Sequence, residues 1–328
     1  MKKYRKIFAI ILSLALILCS TMPVTALAEE ANVPQEFYSI TAEDPQWAAL
    51  GSISARRAAV HLDESVFDDM PTEEVLRAVL EYPFTSDIFF FNTYQQGIEH
   101  TMLHCTAMRV LVQRADAYSV LRHAAARKNR ADLEKNLTET RMKLVPEILN
   151  VLMSYSGFEL EAIDYNIRQN AADTSVILAT VYTPRGSAVS VEIRPEIPDG
   201  LRASLDEEAI TRHPNATLIY SSTGKYNCHS YAWYSNSTLN SYWMKDPSKY
   251  MSDGSYTRVQ KINLASKVYY TSTNHSARVY DAEGSSINNA YVISKWGNGP
   301  VMVHKVYDCP YTYPDNNELL RTTVTLWK

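Results

Sequence analysis

Hydrophobic positions recur at helical spacing over the first half of this chain and give way to β-branched runs in the second. Between about residues 47 and 155 the pattern is helical. Val75, Leu76, Val79 and Leu80 form one apolar stripe behind Pro71-Thr72-Glu73-Glu74. A proline and acidic side chains in the first turn suit a helix start, and Pro83 ends the stripe. A longer stripe from about Gly97 to Arg127 runs through Ile98, Met102, Cys105, Met108 and Val112. Leu133, Leu137, Leu144, Ile148 and Leu152 continue it, with Pro146 expected to kink or restart that helix. Three to five packed helices are the expectation.

After Tyr155 the texture changes. Residues 175–193 read as two β-branched runs around the turn Pro184-Arg185-Gly186-Ser187, a hairpin signal. Pro195, Pro198 and Gly200 mark loops, and a charged helical stretch at about 205–210 leads to His213-Pro214. Beyond Ala216 come a short strand at 217–220, a helix opened by Tyr226-Asn227-Cys228, and a long loop rich in Tyr, Ser and Asn. Three strands near 267–270, 275–280 and 290–296 follow, with a last one at 320–327. The expected fold class is α+β. A helical domain (29–156) would precede a hairpin or linker region (157–215) and an α+β domain (216–328) with a helix-borne cysteine packed on an antiparallel sheet.

The first residues revise where the working chain begins. Lys2, Lys3, Arg5 and Lys6 precede a short apolar run, and Ala26-x-Ala28 gives the small-x-small pattern of a signal-peptidase site, so residues 1–28 read as a secretory leader. Cys19 lacks the small preceding residue that a lipoprotein site needs. No other run approaches the length of a spanning helix, so the cleaved product is expected to be secreted, free of a membrane span, with cell-wall association open. The full chain has 32 Lys+Arg and 36 Asp+Glu. The leader removes four basic residues, leaving 28 against 36, a net charge of −8. Such an acidic product has no electrostatic handle for nucleic acid. Sequons at Asn136, Asn215, Asn236 and Asn274 read as chance occurrences in a bacterial protein, since a glycan on Asn274 would crowd His275.

Three cysteines remain after the leader: Cys105, Cys228 and Cys309. Cys105 falls on an apolar helical stripe and belongs to the core. A bond from it to Cys309 would leave Cys228 as the free thiol. Residues 225–234, KYNCHSYAWY, carry the most chemical information. Asn227 suits an N-cap, placing Cys228 in a first helical turn, where unpaired backbone N–H groups favour a thiolate. His275 opens a later strand. Beside the helix start it could take the proton of Cys228 and return it to a leaving group. His229, next to Cys228 on the helix, is expected to point to solvent.

The order Asn-Cys at a helix start, then a strand beginning His275-Ser-Ala-Arg-Val, then a further strand with a polar residue, resembles the NlpC/P60 and CHAP-like branch of papain-like cysteine hydrolases. The resemblance covers about residues 217–311. Ser294-Lys295-Trp296-Gly297 and His304 look like a divergent secreted subgroup. It implies Cys228 as nucleophile and His275 as general base, a peptide or peptidoglycan stem as substrate, and no cofactor. The usual Gly-Asp before the Val-x-Tyr strand is replaced by Ser266-Lys267.

A third group should orient the imidazole. In a hairpin joining 275–280 to 290–296, residues 290–292 are expected opposite His275. Ser294, on the same face, is the first choice, and Asn289 or Asn288 at the near end would serve if the register slips. Lys295-Trp296-Gly297 reads most simply as a strand end packing an indole. His100 and His104 have i, i+4 spacing, but Glu99 precedes both, unlike His-Glu-x-x-His. A zinc set of Cys228, His275, His304 and Cys309 has the right ligand types without close pairs, so no metal is expected. Tyr242, Trp243, Tyr250, Met251 and Tyr256 on the 234–256 loop either line a cleft or pin the loop. The reading is a secreted thiol hydrolase acting through a Cys-His dyad. The alternative is a non-catalytic extracellular binding or structural protein of the same fold.

Overall fold

The computed structural model describes residues 36–158, 176–313 and 322–328, except 127, 129 and 285. The expected leader lies outside them. The architecture is mixed α+β with antiparallel sheets. Short helices α1 (Pro45–Ala49) and α2 (Ile53–Ala59) lead to α3 (Thr72–Glu81), which begins after Pro71 and stops before Pro83 as its pattern predicts. The long stripe beyond Gly97 is broken into α4 (Tyr94–Met102), α5 (Thr106–Gln113) and α6 (Ala117–Ala125). Local capping divides it: Cys105 Sγ accepts the Met108 N–H and restarts the chain as α5. Pro146 does not restart α7 (Glu139–Met153), which runs through it from the Thr138 cap. The carbonyl deprived of its bond belongs to Met142, a residue on the exposed side of the helix.

The expected hairpin is formed by β1 (Ile177–Tyr182) and β2 (Ala188–Ile193), with Gly186 at φ +86° in the turn. After α8 (Asp199–Arg212) come β3 (Thr217–Tyr220), β4 (Arg258–Val259), β5 (Lys267–Tyr270), β6 (His275–Asp281), β7 (Tyr291–Lys295), β8 (Val301–Lys305) and β9 (Val324–Trp327). They make a seven-stranded sheet in the order β3-β8-β7-β6-β5-β9-β4.

One face of this sheet presents Val268, Tyr270, Ala277, Val292, Met302 and Leu326 to the helices, and all belong to the same apolar cluster as Leu76, Leu111, Ile148 and Leu205. The helical segment therefore closes no core of its own; residues 37–328 form one compact unit. The other face meets Trp233, Tyr250, Met244 and the hairpin valines 181, 189 and 191. The aromatics of the 234–256 loop thus pin it down: Trp243 and Tyr250 are each 1% exposed, and Trp243 exchanges two backbone hydrogen bonds with Glu192 on β2.

Two glycines allow close backbone approaches, Gly97 within the helical layer and Gly297 between that layer and the sheet. A Cβ on Gly97 would stand 2.2 Å from Ile88 O. One on Gly297, at φ +47°, would stand 2.4 Å from Phe91 O and 2.6 Å from the Phe90 carbonyl carbon. The strap Phe89-Phe90-Phe91-Asn92 is thereby held against the β7–β8 turn, with Asn298 N–H bonded to Phe89 O at 3.0 Å. Gly297→Ala should cost on the order of 3 kcal/mol, from left-handed backbone and backbone overlap together. Gly186→Ala, which meets open space, should cost about 1 kcal/mol. Urea unfolding midpoints of the two variants test the contrast.

Candidate active site

The turn that carries Cys228 is set by Asn227. Its Oδ1 accepts the N–H of Ser230 at 3.2 Å, an N-cap bond, and that of Met244 at 3.1 Å from the pinned loop. Cys228 and His229 enter helical backbone that widens into one π-turn, Ser230–Tyr234. The turn packs across β6 and β7. Cys228 is 1% exposed, and its sulfur donates to Asn92 Oδ1 at 3.3 Å. Burial pushes its thiol up to about 12; the backbone N–H groups of Ser276 and His229 and the charge of Lys295 act in the opposite sense.

Asn92, at the end of the Phe89–Phe91 strap, is the hub. Its Oδ1 also accepts from Asn227 Nδ2 at 2.9 Å, and its Nδ2 donates to Asn274 O at 2.7 Å and to His229 Nε2 at 3.1 Å. His229 does not point to solvent: it is fully buried. With Nε2 accepting, Nδ1 carries the proton and donates to Ser276 Oγ at 2.8 Å, which also accepts from Trp233 Nε1 at 2.8 Å. The wide π-turn supplies the room that lets a residue beside Cys228 turn inward. Burial lowers His229 to about 4, so it is neutral at pH 7.

His275 does open β6, but on the wrong face for a contact with the Cys228 turn. Ser276 points its hydroxyl at that turn, so strand alternation directs the His275 ring to the helical side. There it stacks on Tyr311, with centroids 3.4 Å apart and planes 12° apart. Neither ring nitrogen has a hydrogen-bond partner among the described residues, so no Cys228–His275 hydrogen bond exists. Burial holds the imidazole well below its ordinary value.

Ser294 lies on the same face yet pairs with another histidine: its Oγ is 2.8 Å from His304 Nε2 and accepts from Trp296 Nε1 at 3.1 Å. The expected register is displaced. Arg278 faces Ile293, Val279 faces Val292 and, after an irregularity, Asp281 faces Tyr291, so residues 290–292 lie far along β6 from His275. Asn288 and Asn289 sit in an exposed turn at that distant end. None of the three orients His275. Trp296, as expected, is buried, packing on Phe90 and His213.

Cys105, Cys228 and Cys309 are all free thiols, so the Cys105–Cys309 bond is not made. Among the described residues no three His, Cys, Asp or Glu side chains converge as metal ligands, and the zinc set weighed above is not assembled. The rings of His100 and His104 are 5.2 Å apart, and His100 Nε2 donates to Thr312 O at 3.1 Å. A cleft of about 390 Å³ opens nearby, lined by Phe91, Glu99, His100, Asn274 and Tyr313 among others. Asn92 bonds both to Asn274 of this lining and to the Cys228 sulfur.

No family model, curated protein or solved structure matches the chain. The geometry alone therefore carries any functional reading. It places a buried thiol under the carboxamide of Asn92 at the start of an Asn227-capped turn. Asn92, Ser276 and the inward His229 escape a sequence reading. Their one signal is the polar pair Asn92-Thr93 after three phenylalanines, where an apolar strap ends and Thr93 caps α4.

Proposed function

We propose that this protein is an exported thiol hydrolase that cleaves amide bonds in peptides or peptidoglycan stems, with Cys228 as nucleophile. The observation that carries the reading is a buried Cys228 sulfur that donates to Asn92 Oδ1 at 3.3 Å from the start of a turn capped by Asn227, inside a cluster of buried Asn, His and Ser side chains, with the Ser276 and His229 backbone acting to favour its thiolate. Donors fixed at that point favour negative charge on sulfur and on an adjoining carbonyl oxygen. The sulfur attacks the amide carbon, the C–N bond breaks, and the amine leaves with the proton the thiol gave up. Water then attacks the thioester, releasing the acid and restoring the thiol. No role as base falls to His275, whose ring lies on the opposite face of β6 from the Cys228 turn and stacks on Tyr311.

The 1% exposure of Cys228 and its Asn92 cap favour a second reading, a non-catalytic extracellular protein. The full chain, incubated with purified muropeptides and with mixed short peptides, should release new primary amines. Cys228→Ala should lower that release by about 10³-fold or more. No release from either substrate, with a Cys228 that iodoacetamide does not alkylate in the folded protein, would establish the second reading.

A further inference from the structure

We propose that the Lys295 ammonium, and not the imidazole of His275, is the charge that stabilises an anionic sulfur at Cys228. The inference concerns the same site and needs the hydrolase reading only for its catalytic consequence. Alternation along β7 puts Val292 and Ser294 toward the helices, and Ile293 and Lys295 toward the Cys228 turn. The contacts agree: Ile293 packs on Tyr226 and Tyr231, and Lys295 Nζ lies 5.5 Å from the Tyr226 ring centroid, two residues before Cys228. Continuing the β6–β7 register by two places sets Lys295 across from Ser276, whose backbone acts to favour an anionic Cys228 sulfur.

The ammonium is fully buried. It donates to Thr223 O at 3.0 Å, to Gly297 O at 2.6 Å and to Gly299 O. Burial lowers Lys295 to about 7, and the three carbonyl acceptors, which require three N–H groups, act in the opposite sense to keep the proton on nitrogen. No carboxylate among the described residues forms an ion pair with it. Glu196 and Asp206, the acidic groups that act on it from further away, are already bound. Glu196 takes the Thr223 hydroxyl at 2.6 Å and the Gly224 N–H at 2.8 Å, and Asp206 takes the Ser222 N–H at 2.7 Å and its hydroxyl at 2.6 Å. The other titratable groups that act near Cys228 are His229 and Tyr269 and, from the helical side of the sheet, Tyr311; burial keeps the histidine neutral and both phenols protonated. A buried cation lacking a contact anion is costly, and a thiolate at Cys228 compensates it. The two groups then share one proton as a coupled pair.

Two measurements test this. In ¹⁵N-lysine NMR of the full chain, Lys295 Nζ should lose its proton at least about one pH unit lower in Cys228→Ala than in the wild type. Equal midpoints would overturn the pairing. Alkylation of Cys228 by iodoacetamide at pH 8, located by peptide mass spectrometry, should slow about tenfold or more in Lys295→Met and change less than about threefold in His275→Ala. The reverse ranking would also overturn it. If Lys295→Met does not fold, the NMR comparison decides alone. A Cys228-dependent Lys295 midpoint in a protein that hydrolyses nothing would support the pair and defeat only the hydrolase reading.

Discussion

Acidification from pH 7 towards pH 4 is expected to unfold this protein cooperatively, before most carboxylates have titrated. His104 and His275 are held well below their ordinary values by burial, His229 and His304 at about 4 and His100 at about 3, again chiefly by burial. The sign follows from linkage. A histidine depressed in the folded state stays neutral there while the unfolded chain binds a proton below about pH 6.5. Its stabilisation is full above that pH and is lost as pH falls towards the folded value. Each such residue removes up to about 1.4 kcal/mol per pH unit. Five together remove up to about 7 kcal/mol per unit, enough to exhaust an ordinary domain stability of about 5–15 kcal/mol within roughly two units. Circular dichroism and tryptophan fluorescence against pH would show it; native signals and an unchanged urea midpoint at pH 4 would refute it. His275→Phe keeps the stack on Tyr311 and removes one proton site, so it should flatten the acid limb by about 1.4 kcal/mol per pH unit.

The second large effect is expected at Arg141. This guanidinium, 3% exposed, donates to the carbonyls of Leu80, Tyr82 and Pro83 at 3.3, 3.0 and 2.9 Å and to Glu208 at 2.6 Å. Glu208 is 3.1 Å from Arg212, which reaches Glu43 at 2.6 Å. The chain of charges ties α7 to α8 through the turn after α3. Arg141→Met leaves three carbonyls without that donor and one carboxylate short of a partner, and should lose about 3–5 kcal/mol. Glu139→Gln, which breaks an exposed pair with Lys143 on the same helix, should produce no measurable change. A loss from Arg141→Met no larger than that of the exposed variant would show that the network does not hold the helices together.

Much of the secondary structure was legible because each periodicity reports a local constraint. The stripe after Pro71 became α3, and the turn at 184–187 became the β1–β2 hairpin. The misses have local causes too. Val301–Lys305 (VMVHK) forms β8 without an apolar–polar alternation to mark it, and the single expected helix beyond Gly97 is cut by capping at Cys105. At the site, the Asn227 cap and the Cys228 turn were readable because they depend on neighbours within three residues. The partners of Cys228 were not. A shift in β6–β7 register changes which residues meet, and strand alternation then decides which face each serves.

Sequence by itself determined an export-type leader pattern, an α+β order of elements, and a cysteine opening a helical turn behind an asparagine cap. Each of these is a pattern within a short stretch of chain. Only the tertiary structure decided that Asn92 is delivered from the helical layer, that His229 turns inward, and that His275 stacks on Tyr311 while Lys295 shares the face of Cys228. The physical reason is that these relations are set by packing: Gly297 admits the Phe89–Phe91 strap against the β7–β8 turn, and the pleat assigns neighbouring residues to opposite sides.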